Sequence, residues 1–240
     1  MRKIDEALID AVQKNDVRAI GGLVRKGANV NIQNEYGQSL LHLAIFKGNR
    51  NLLETLILLG ADVNQKDMDG YPPLHQSIRL NRLKMMRRLL CEEKIDTAQT
   101  DKYGFSALHV ASLAGLDLGD LKLLAMAGVP LNHKNNWGDT ALFTALNDKT
   151  IENLLAIGVD AKLENKWGEK AVDYFNKKAF KHQKDVVCSL KYMKMAVKLG
   201  QAFKKSICVD KEKNKLAYLR SLKGTSFLKY KKMIWQNDRG

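Results

Sequence analysis

The stretch "NEYGQSLLHLAIFKGNRNLLETLILLGADVNQ", residues 34–65, decides the fold because two short motifs within it recur along the chain. Its opening step, Asn/Asp-x-x-Gly followed by Leu-His, recurs as "DMDGYPPLH" and "DKYGFSALH" and weakens to "NNWGDTALF" and "NKWGEKAVD". The glycines of these steps are separated by 33, 34, 34 and 30 residues: Gly37, Gly70, Gly104, Gly138 and Gly168. A second mark, "GADVN" and its variants at positions 27, 60, 94, 128 and 158, has the same period. Two marks in phase indicate tandem structural repeats.

Each repeat predicts a pair of helices. The glycine of the opening step supplies a turn conformation that a side chain would resist. Leu41 and Ala44 open a first helix, which Gly48 interrupts. The second helix is predicted from leucines that recur at steps of one, three and three residues: Leu52, Leu53, Leu56 and Leu59. Gly60 follows them, where a left-handed helix cap is favoured.

These marks resemble the ankyrin repeat, in which Asp-x-x-Gly-x-Thr-Pro-Leu-His-x-Ala precedes a second helix and then Gly-Ala-Asp-Val-Asn. The resemblance covers residues 4 to about 175 and implies an all-α ankyrin-repeat solenoid of stacked helix-turn-helix units with β-turn or hairpin tips. We predict a repeat domain over 1–175, divided into an N-terminal cap 1–31, internal repeats at about 32–64, 65–98, 99–132 and 133–162, and a terminal half-repeat 163–175. The repeat at 133–162 is three residues short, so its two helices should meet in a tight junction.

The net charge of +14 is confined to the last quarter of the chain. Residues 1–175 contain 22 Lys+Arg and 22 Asp+Glu, whereas residues 176–240 contain 18 and 4. We therefore predict a separate Lys-rich helical C-terminal extension over 176–240. Its main helix should carry an apolar stripe of Val186, Leu190, Met193 and Val197. Beside that stripe runs a basic face: Lys184, Lys191, Lys194, Lys198 and Lys205.

Three interpretations of this extension stay open at the level of the sequence. Its apolar stripe could dock on the last repeat and protect the open end of the array. It could instead lie on an anionic membrane, where lysines interact with headgroups, or bind nucleic acid through lysines and rings such as those of "FLKYKKMIW". The extension contains only two arginines, Arg220 and Arg239, which disfavours sequence-specific DNA recognition.

The histidines give no evidence of catalysis or of a metal site. His42, His75 and His109 share one repeat position, so the spacing of packed helical layers, roughly 10 Å, keeps them from binding one ion. The resemblance implies that each imidazole hydrogen-bonds backbone and holds neighbouring turns together. We expect His133 and His182 to be solvated. With neither a nucleophile–base pair nor a phosphate loop in the sequence, we predict a non-enzymatic protein with no metal, no cofactor and no small-molecule substrate.

The repeats predict a binding face, because packing leaves the turn tips and the adjoining helix edge free. Large aromatic residues occupy such positions although aromatic content is only 7% overall, and tyrosine and tryptophan are favoured anchors of interfaces. The predicted partner-binding residues are Tyr36, Phe46, Lys66, Tyr71, Arg79, Lys102, Tyr103, Phe105, Lys134, Trp137, Lys166 and Trp167. We expect Trp137 to be the main anchor, and the lysines to suit a partner with acidic residues beside apolar ones.

The sequence therefore predicts a monomeric adaptor that binds another protein. The alternative is an adaptor whose basic extension binds anionic membrane or nucleic acid. Three widely spaced cysteines, Cys91, Cys188 and Cys208, favour reduced thiols and hence a cytoplasmic location. Short ankyrin arrays with lysine-rich ends also resemble proteins that intracellular bacteria or viruses send into host cells, so delivery into a host is a further expectation.

Overall fold

The structure, a computed structural model, describes residues 2–181 and 186–206. This part of the chain is all-helical apart from isolated β-bridges. Its helices are α1 (Lys3–Gln13), α2 (Val17–Arg25), α3 (Leu40–Lys47), α4 (Arg50–Leu58), α5 (Pro73–Arg79), α6 (Leu83–Leu90), α7 (Ala107–Ala114), α8 (Leu118–Met126), α9 (Asp148–Ala156), α10 (Ala171–Lys181) and α11 (Val186–Ser206). The predicted all-α class and the helix-turn-helix units are confirmed.

Local chemistry sets the ends of the paired helices. The side chains of Asn49 and Asp117 accept backbone hydrogen bonds at the starts of α4 and α8, as favoured N-caps do. Gly48 and Gly115 end α3 and α7 in left-handed conformations, with φ of 68° and 66°, which glycine adopts without the steric cost of a Cβ. Each first helix therefore stops after two turns, and the chain reverses into the second.

The short repeat departs from the prediction. Residues 141–144 form consecutive turns in place of a first helix, with hydrogen bonds between backbone groups three residues apart, such as Phe143 N to Thr140 O at 3.0 Å. The missing three residues leave too little chain for a full helix before α9. Leu142 and Phe143 nevertheless remain buried, so this segment still fills its layer.

The core runs through the stack as two clusters that meet at α6. Met85 and Leu89 belong to the cluster formed with α1–α4, whereas Met86 belongs to the cluster that continues to α11. Because α6 contributes to both, no repeat buries its apolar face alone. This is the nearest-neighbour stabilisation expected of a solenoid.

The first part of α11 covers the last repeat. Met195, Ala196 and Leu199 are fully buried in the core cluster that contains Phe175, and the Tyr192 ring stacks on Phe175 with centroids 6.3 Å apart. One compact unit ends at Leu199 and a second begins at Gly200, so the predicted division at residues 175 and 176 falls within the first unit.

The predicted apolar stripe of α11 is wrong in register. Leu190 is 39% exposed, and Met193 and Val197 are only half-buried, whereas the fully buried residues of the helix are Met195, Ala196 and Leu199. The side chain of Val186 is not described. This helix is apolar on two adjoining faces, and only packing against α10 selects between them. Lys191 and Lys194 are exposed, and the ammonium of Lys198 pairs with Glu152.

Two residues of the predicted basic face stay untested. Lys184 lies outside the described residues, and the side chain of Lys205 is not described. Among residues 2–181 and 186–206, no helix has both the length and the apolar character that crossing a membrane requires.

We expect Leu199→Ala to lower the free energy of unfolding by about 2–5 kcal/mol, because it leaves a cavity between α11 and the array. The matched control, Leu190→Ala on the exposed face of the same helix, should cost under about 1 kcal/mol. Urea unfolding followed by circular dichroism measures both. Equal effects of the two variants would contradict the docking of α11 through Leu199.

Candidate partner-binding surface

Five equivalent turns, here called the five tips, line one edge of the array: residues 33–39, 66–72, 100–106, 134–140 and 164–170. In each, the side-chain oxygen of an Asn or Asp accepts two backbone N–H groups at 2.8–3.0 Å, as Asp101 does from Tyr103 and Phe105. The same side chain thus shapes every tip, which explains the Asn/Asp of the repeated step. In the first, third and fifth tips a β-bridge also closes the turn.

Backbone hydrogen bonds join each tip to the next. Lys102 N donates to Asp69 O at 3.2 Å, Asn136 N to Tyr103 O at 3.0 Å, and Lys166 N to Trp137 O at 3.0 Å. This approach is so close that a Cβ on Gly70 or Gly138 would lie 2.7 or 2.6 Å from the next tip's backbone nitrogen. The periodic glycine is therefore needed for stacking as well as for its positive φ.

The periodic histidines form a second set of links between repeats. Nδ1 of His42 and of His109 bonds to the serine hydroxyl at the start of its own helix at 2.8 Å. The Nε2 atoms of His42, His75 and His109 then reach the backbone carbonyl oxygens of Tyr71, Phe105 and Asp139 at 2.9–3.0 Å. The implied structural role of these three residues is confirmed.

Burial keeps these imidazoles neutral. Desolvation lowers the pKa of His75 and of His109 to about 4 and also lowers the pKa of His42. At His75 the residue in the serine position is Pro72, so Nδ1 is buried without a partner in the described part of the chain. The other prediction, that His133 is solvated, is wrong, because its Nε2 lies 3.2 Å from Gly104 O and its ring meets His109 edge-on. His182 lies outside the described residues.

Four large rings are exposed on the tips. The exposed fractions are 62% for Tyr36, 46% for Tyr103, 38% for Trp137 and 64% for Trp167. Tyr103 and Trp137 stack with centroids 6.0 Å apart, and Phe105 meets Trp137 edge-on at 5.8 Å. Trp137, the expected main anchor, is thus the least exposed of the four, since neighbouring rings cover part of it.

The second tip lacks such a ring and carries Met68 instead, which is 71% exposed. The side chain of Met68 lies over Gly37, so it continues the apolar row between Tyr36 and Tyr103. The predicted residues do not include Met68, because the prediction selected aromatic and basic residues at the tips, and this tip has Asp69 in the position before the glycine.

The tip lysines are less free than predicted, because they bridge neighbouring tips. The ammonium of Lys66 donates to Thr100 O at 2.6 Å and that of Lys134 to Glu164 O at 2.8 Å. Lys102 pairs with Asp69 at 2.5 Å, and this hydrogen bond lowers the pKa of that carboxyl. Lys166 is exposed on the fifth tip. Each ammonium has three donors, so a bridged lysine can still meet an acidic partner.

The remaining predicted residues do not all join this row. Tyr71 and Phe105 are half-buried below it, and Arg79 stacks over the Tyr71 ring at 5.0 Å. Phe46 is 66% exposed but lies in the last turn of α3, away from the tips. In the described part of the chain, no group of His, Cys, Asp or Glu side chains is arranged to hold a metal ion.

Stacked helix pairs with hydrogen-bonded tips define a helical-repeat solenoid of the kind that displays a surface rather than enclosing a cleft. The chain belongs to the ankyrin repeat family. The family profile for ankyrin repeats (3 copies) matches residues 8–101 and 41–125. Ankyrin repeats make the chain a protein–protein interaction module, and the family is generally a non-enzymatic scaffold.

Relatives and solved structures agree with this assignment. The chain is 33% identical over 127 residues to the nuclear factor NF-kappa-B p105 subunit of Gallus gallus, and 30% over 156 residues to ankyrin repeat and SOCS box protein 6 of Homo sapiens. These matches cover 51% and 60% of this chain but only 13% and 35% of the relatives' own length.

Two solved structures have a similar fold. An ankyrin repeat domain from Acinetobacter baumannii superposes with a TM-score of 0.67 at 26% identity, covering 81% of this chain and 96% of that domain. The ankyrin repeat protein EF0377 superposes with a TM-score of 0.69 at 22% identity, covering 84% of this chain and 99% of that one.

We expect Gly138→Ala to lower the free energy of unfolding by at least about 2 kcal/mol more than Gly168→Ala, because overpacking against the next tip adds to the strain. Both glycines have positive φ, 80° and 69°, so both variants carry the left-handed strain. Only Gly138 has a following tip, since no described atom lies within 4 Å of a Cβ on Gly168. Urea unfolding compares them, and equal losses would show that stacking is not the constraint.

We expect the array to lose stability as the pH falls from 6.5 towards 4. The unfolded histidines bind protons with a pKa near 6.5, whereas His75 and His109 in the fold resist protonation until about 4. Within that window the unfolded state binds more protons, so acid favours unfolding. The urea midpoint measured at several pH values tests this. A His109→Gln variant should show a shallower dependence, and an unchanged slope would contradict the assignment.

Proposed function

We propose that the exposed apolar row of the tips, Tyr36, Met68, Tyr103, Trp137 and Trp167, is the surface through which this module binds its partner protein. The observation that carries the proposal is the exposure of four large rings on tips that are themselves fixed by backbone hydrogen bonds. Tyr and Trp bury a large area with few rotatable bonds, and such residues supply most of the binding free energy in many interfaces.

The stack prepares this surface for binding. Each ring is attached to a tip whose Asn or Asp accepts two backbone N–H groups and whose backbone bonds to the neighbouring tip. A partner therefore meets a row with little conformational freedom left to lose, which lowers the entropic cost of association.

The charged groups beside the row favour a partner with acidic residues between apolar ones. Lys66, Lys102, Lys134 and Lys166 alternate with the rings along the tips, and all four are exposed. The ion pair of Lys102 with Asp69 reduces the positive charge at the second and third tips. The carboxylates of the fifth tip, Glu164 and Glu169, are paired with Lys170 and Lys177 rather than with Lys134 or Lys166. We therefore place the acidic contacts of the partner at Lys134 and Lys166, beside Trp137 and Trp167.

The alternative function, an anionic membrane or a nucleic acid bound by the basic extension, has weaker support. A helix lying on a membrane needs an apolar face for the lipid, whereas one of the two apolar faces of α11, that of Met195, Ala196 and Leu199, is already buried against the array. Nucleic-acid binding by residues 176–240 stays a prediction, as do the cytoplasmic location and delivery into a host cell.

We expect Trp167→Ser to weaken capture of the partner at least tenfold with little loss of stability, because this ring is an exposed anchor of the kind that costs about 2 kcal/mol or more when truncated. Trp137→Ser should weaken capture too, but it should also lower the unfolding midpoint, since Trp137 packs on Tyr103 and Phe105. The measurement is pull-down with the purified full chain as bait, followed by titration with the protein recovered.

Matched controls come from exposed apolar residues away from the tips. Leu58 and Met126 are each 83% exposed at the ends of α4 and α8, so Leu58→Ser and Met126→Ser should leave capture unchanged. Loss of capture with these variants but not with Trp167→Ser would place the surface elsewhere. A steep decline of binding with salt would instead favour an anionic polymer.

A further inference from the structure

A groove of about 470 Å³ lies where the turn between α7 and α8 faces the start of α9. It is at the opposite end of the helix pair from the tips, so it is separate from the proposed partner-binding row. Its lining includes Gly115, Asp117 and Gly119 around the turn from α7 to α8, and Asn147, Lys149 and Asn153 at and after the start of α9. A volume of this size is within the range of ligand sites in proteins.

Side chains close the corresponding space between earlier repeats. The guanidinium of Arg82, the residue before α6, lies over Gly48, where an added Cβ would be 3.0 Å from Cζ, and it donates to Phe46 O at 3.4 Å. One repeat earlier, Asn49 Nδ2 donates to Asn15 Oδ1 at 3.2 Å.

The space beside Gly115 has no such filling. The residue before α9 is Asn147, and its side chain caps Thr150 N at 2.8 Å instead of reaching back. A Cβ on Gly115 would meet only the Thr150 hydroxyl, at 3.9 Å.

Polar groups in the groove are left without partners. Asn153 is only 5% exposed, lines the groove, and its carboxamide makes no hydrogen bond to the described part of the chain. The carboxamide atoms are not among the fully buried polar atoms without a partner, so they are reached from the groove and can bond to a group that enters it. Asp117 uses Oδ1 to cap Asp120 N at 2.8 Å, which leaves Oδ2 available.

We propose that this groove binds an arginine side chain of a partner protein. Within this chain the equivalent position beside Gly48 is already occupied by a guanidinium, that of Arg82. The Asp117 carboxylate supplies the charge that a guanidinium pairs with, and the Asn153 carboxamide oxygen supplies a further acceptor. Leu118 offers apolar surface for the methylene groups of the arginine.

The charges disfavour an anionic occupant. The N-terminal turns of α8 and α9 each have a capping side chain that accepts one of their N–H groups. Asp117 would repel a carboxylate or phosphate, and Lys149, the one cation among the lining residues, has its ammonium 3.7 Å from Glu152.

The test uses the full ¹⁵N-labelled chain and three capped tripeptides, acetyl-Gly-Arg-Gly-amide and its lysine and glutamate counterparts. The arginine peptide should shift the amide signals of Gly115 and Gly119 and the side-chain NH₂ signal of Asn153. The lysine peptide should bind more weakly and the glutamate peptide not at all. Absence of these shifts with the arginine peptide, or equal shifts with the glutamate peptide, would overturn the proposal.

Two substitutions sharpen this result. Asp117→Asn keeps a capping side chain at α8 but removes the charge, so it should weaken the arginine peptide roughly five- to tenfold. Gly119→Arg adds a cation beside the Asp117 carboxylate and should abolish the shifts, whereas Met126→Arg, which adds the same charge at the exposed end of α8, should preserve them. Wild-type affinity in Asp117→Asn, or undiminished binding in Gly119→Arg, would contradict the assignment. Because the tips take no part, these outcomes leave the proposed tip surface unaffected.

Discussion

The approach of each tip to the next, close enough for a backbone hydrogen bond, is the constraint on which the rest of the structure depends. At Gly70 and Gly138 the next tip's nitrogen is less than 3 Å from where a Cβ would stand, so this spacing needs glycine. It also fixes the distance that the histidines bridge from helix start to neighbouring tip. The same distance between neighbouring tips, repeated along the chain, then determines where the helix pairs, the core and the exposed rings lie.

The surface follows from that spacing. Because each tip is fixed on both sides, the residue before the glycine projects outward wherever it is aromatic, as Tyr36, Tyr103 and Trp167 do. The same regular spacing explains where the short repeat differs from the other repeats. The short repeat lacks three residues, yet its tip keeps its place because hydrogen bonds hold it to the neighbouring tips. The first helix is lost instead.

Much of this could be predicted from the sequence because the repeat marks report contacts that recur. The periodic glycine, the periodic histidine and the leucine stripe each have the same role in every repeat. One sequence pattern therefore predicts the structure of several layers. Prediction was weaker where contacts do not recur. In α11 two apolar faces adjoin, and sequence alone cannot tell that Met195 and Leu199, not Leu190 and Val197, meet the array. Lys66 and Lys134 bridge neighbouring tips only because the tips are a certain distance apart, and the identity of the residues does not give that distance. The packing of Trp137 against Tyr103 depends on the same distance.

The last layer of the array is covered at its helical end but not at its tip. Its one helix, α10, is covered by α11, whereas no described atom lies within 4 Å of a Cβ placed on Gly168 at its tip. A further repeat placed after the fifth tip would find that tip ready to receive it but would compete with α11 for the apolar surface around Phe175. Duplication of units in such a chain is therefore tolerated more readily inside the array, where a new unit meets two matching neighbours, than at this terminus.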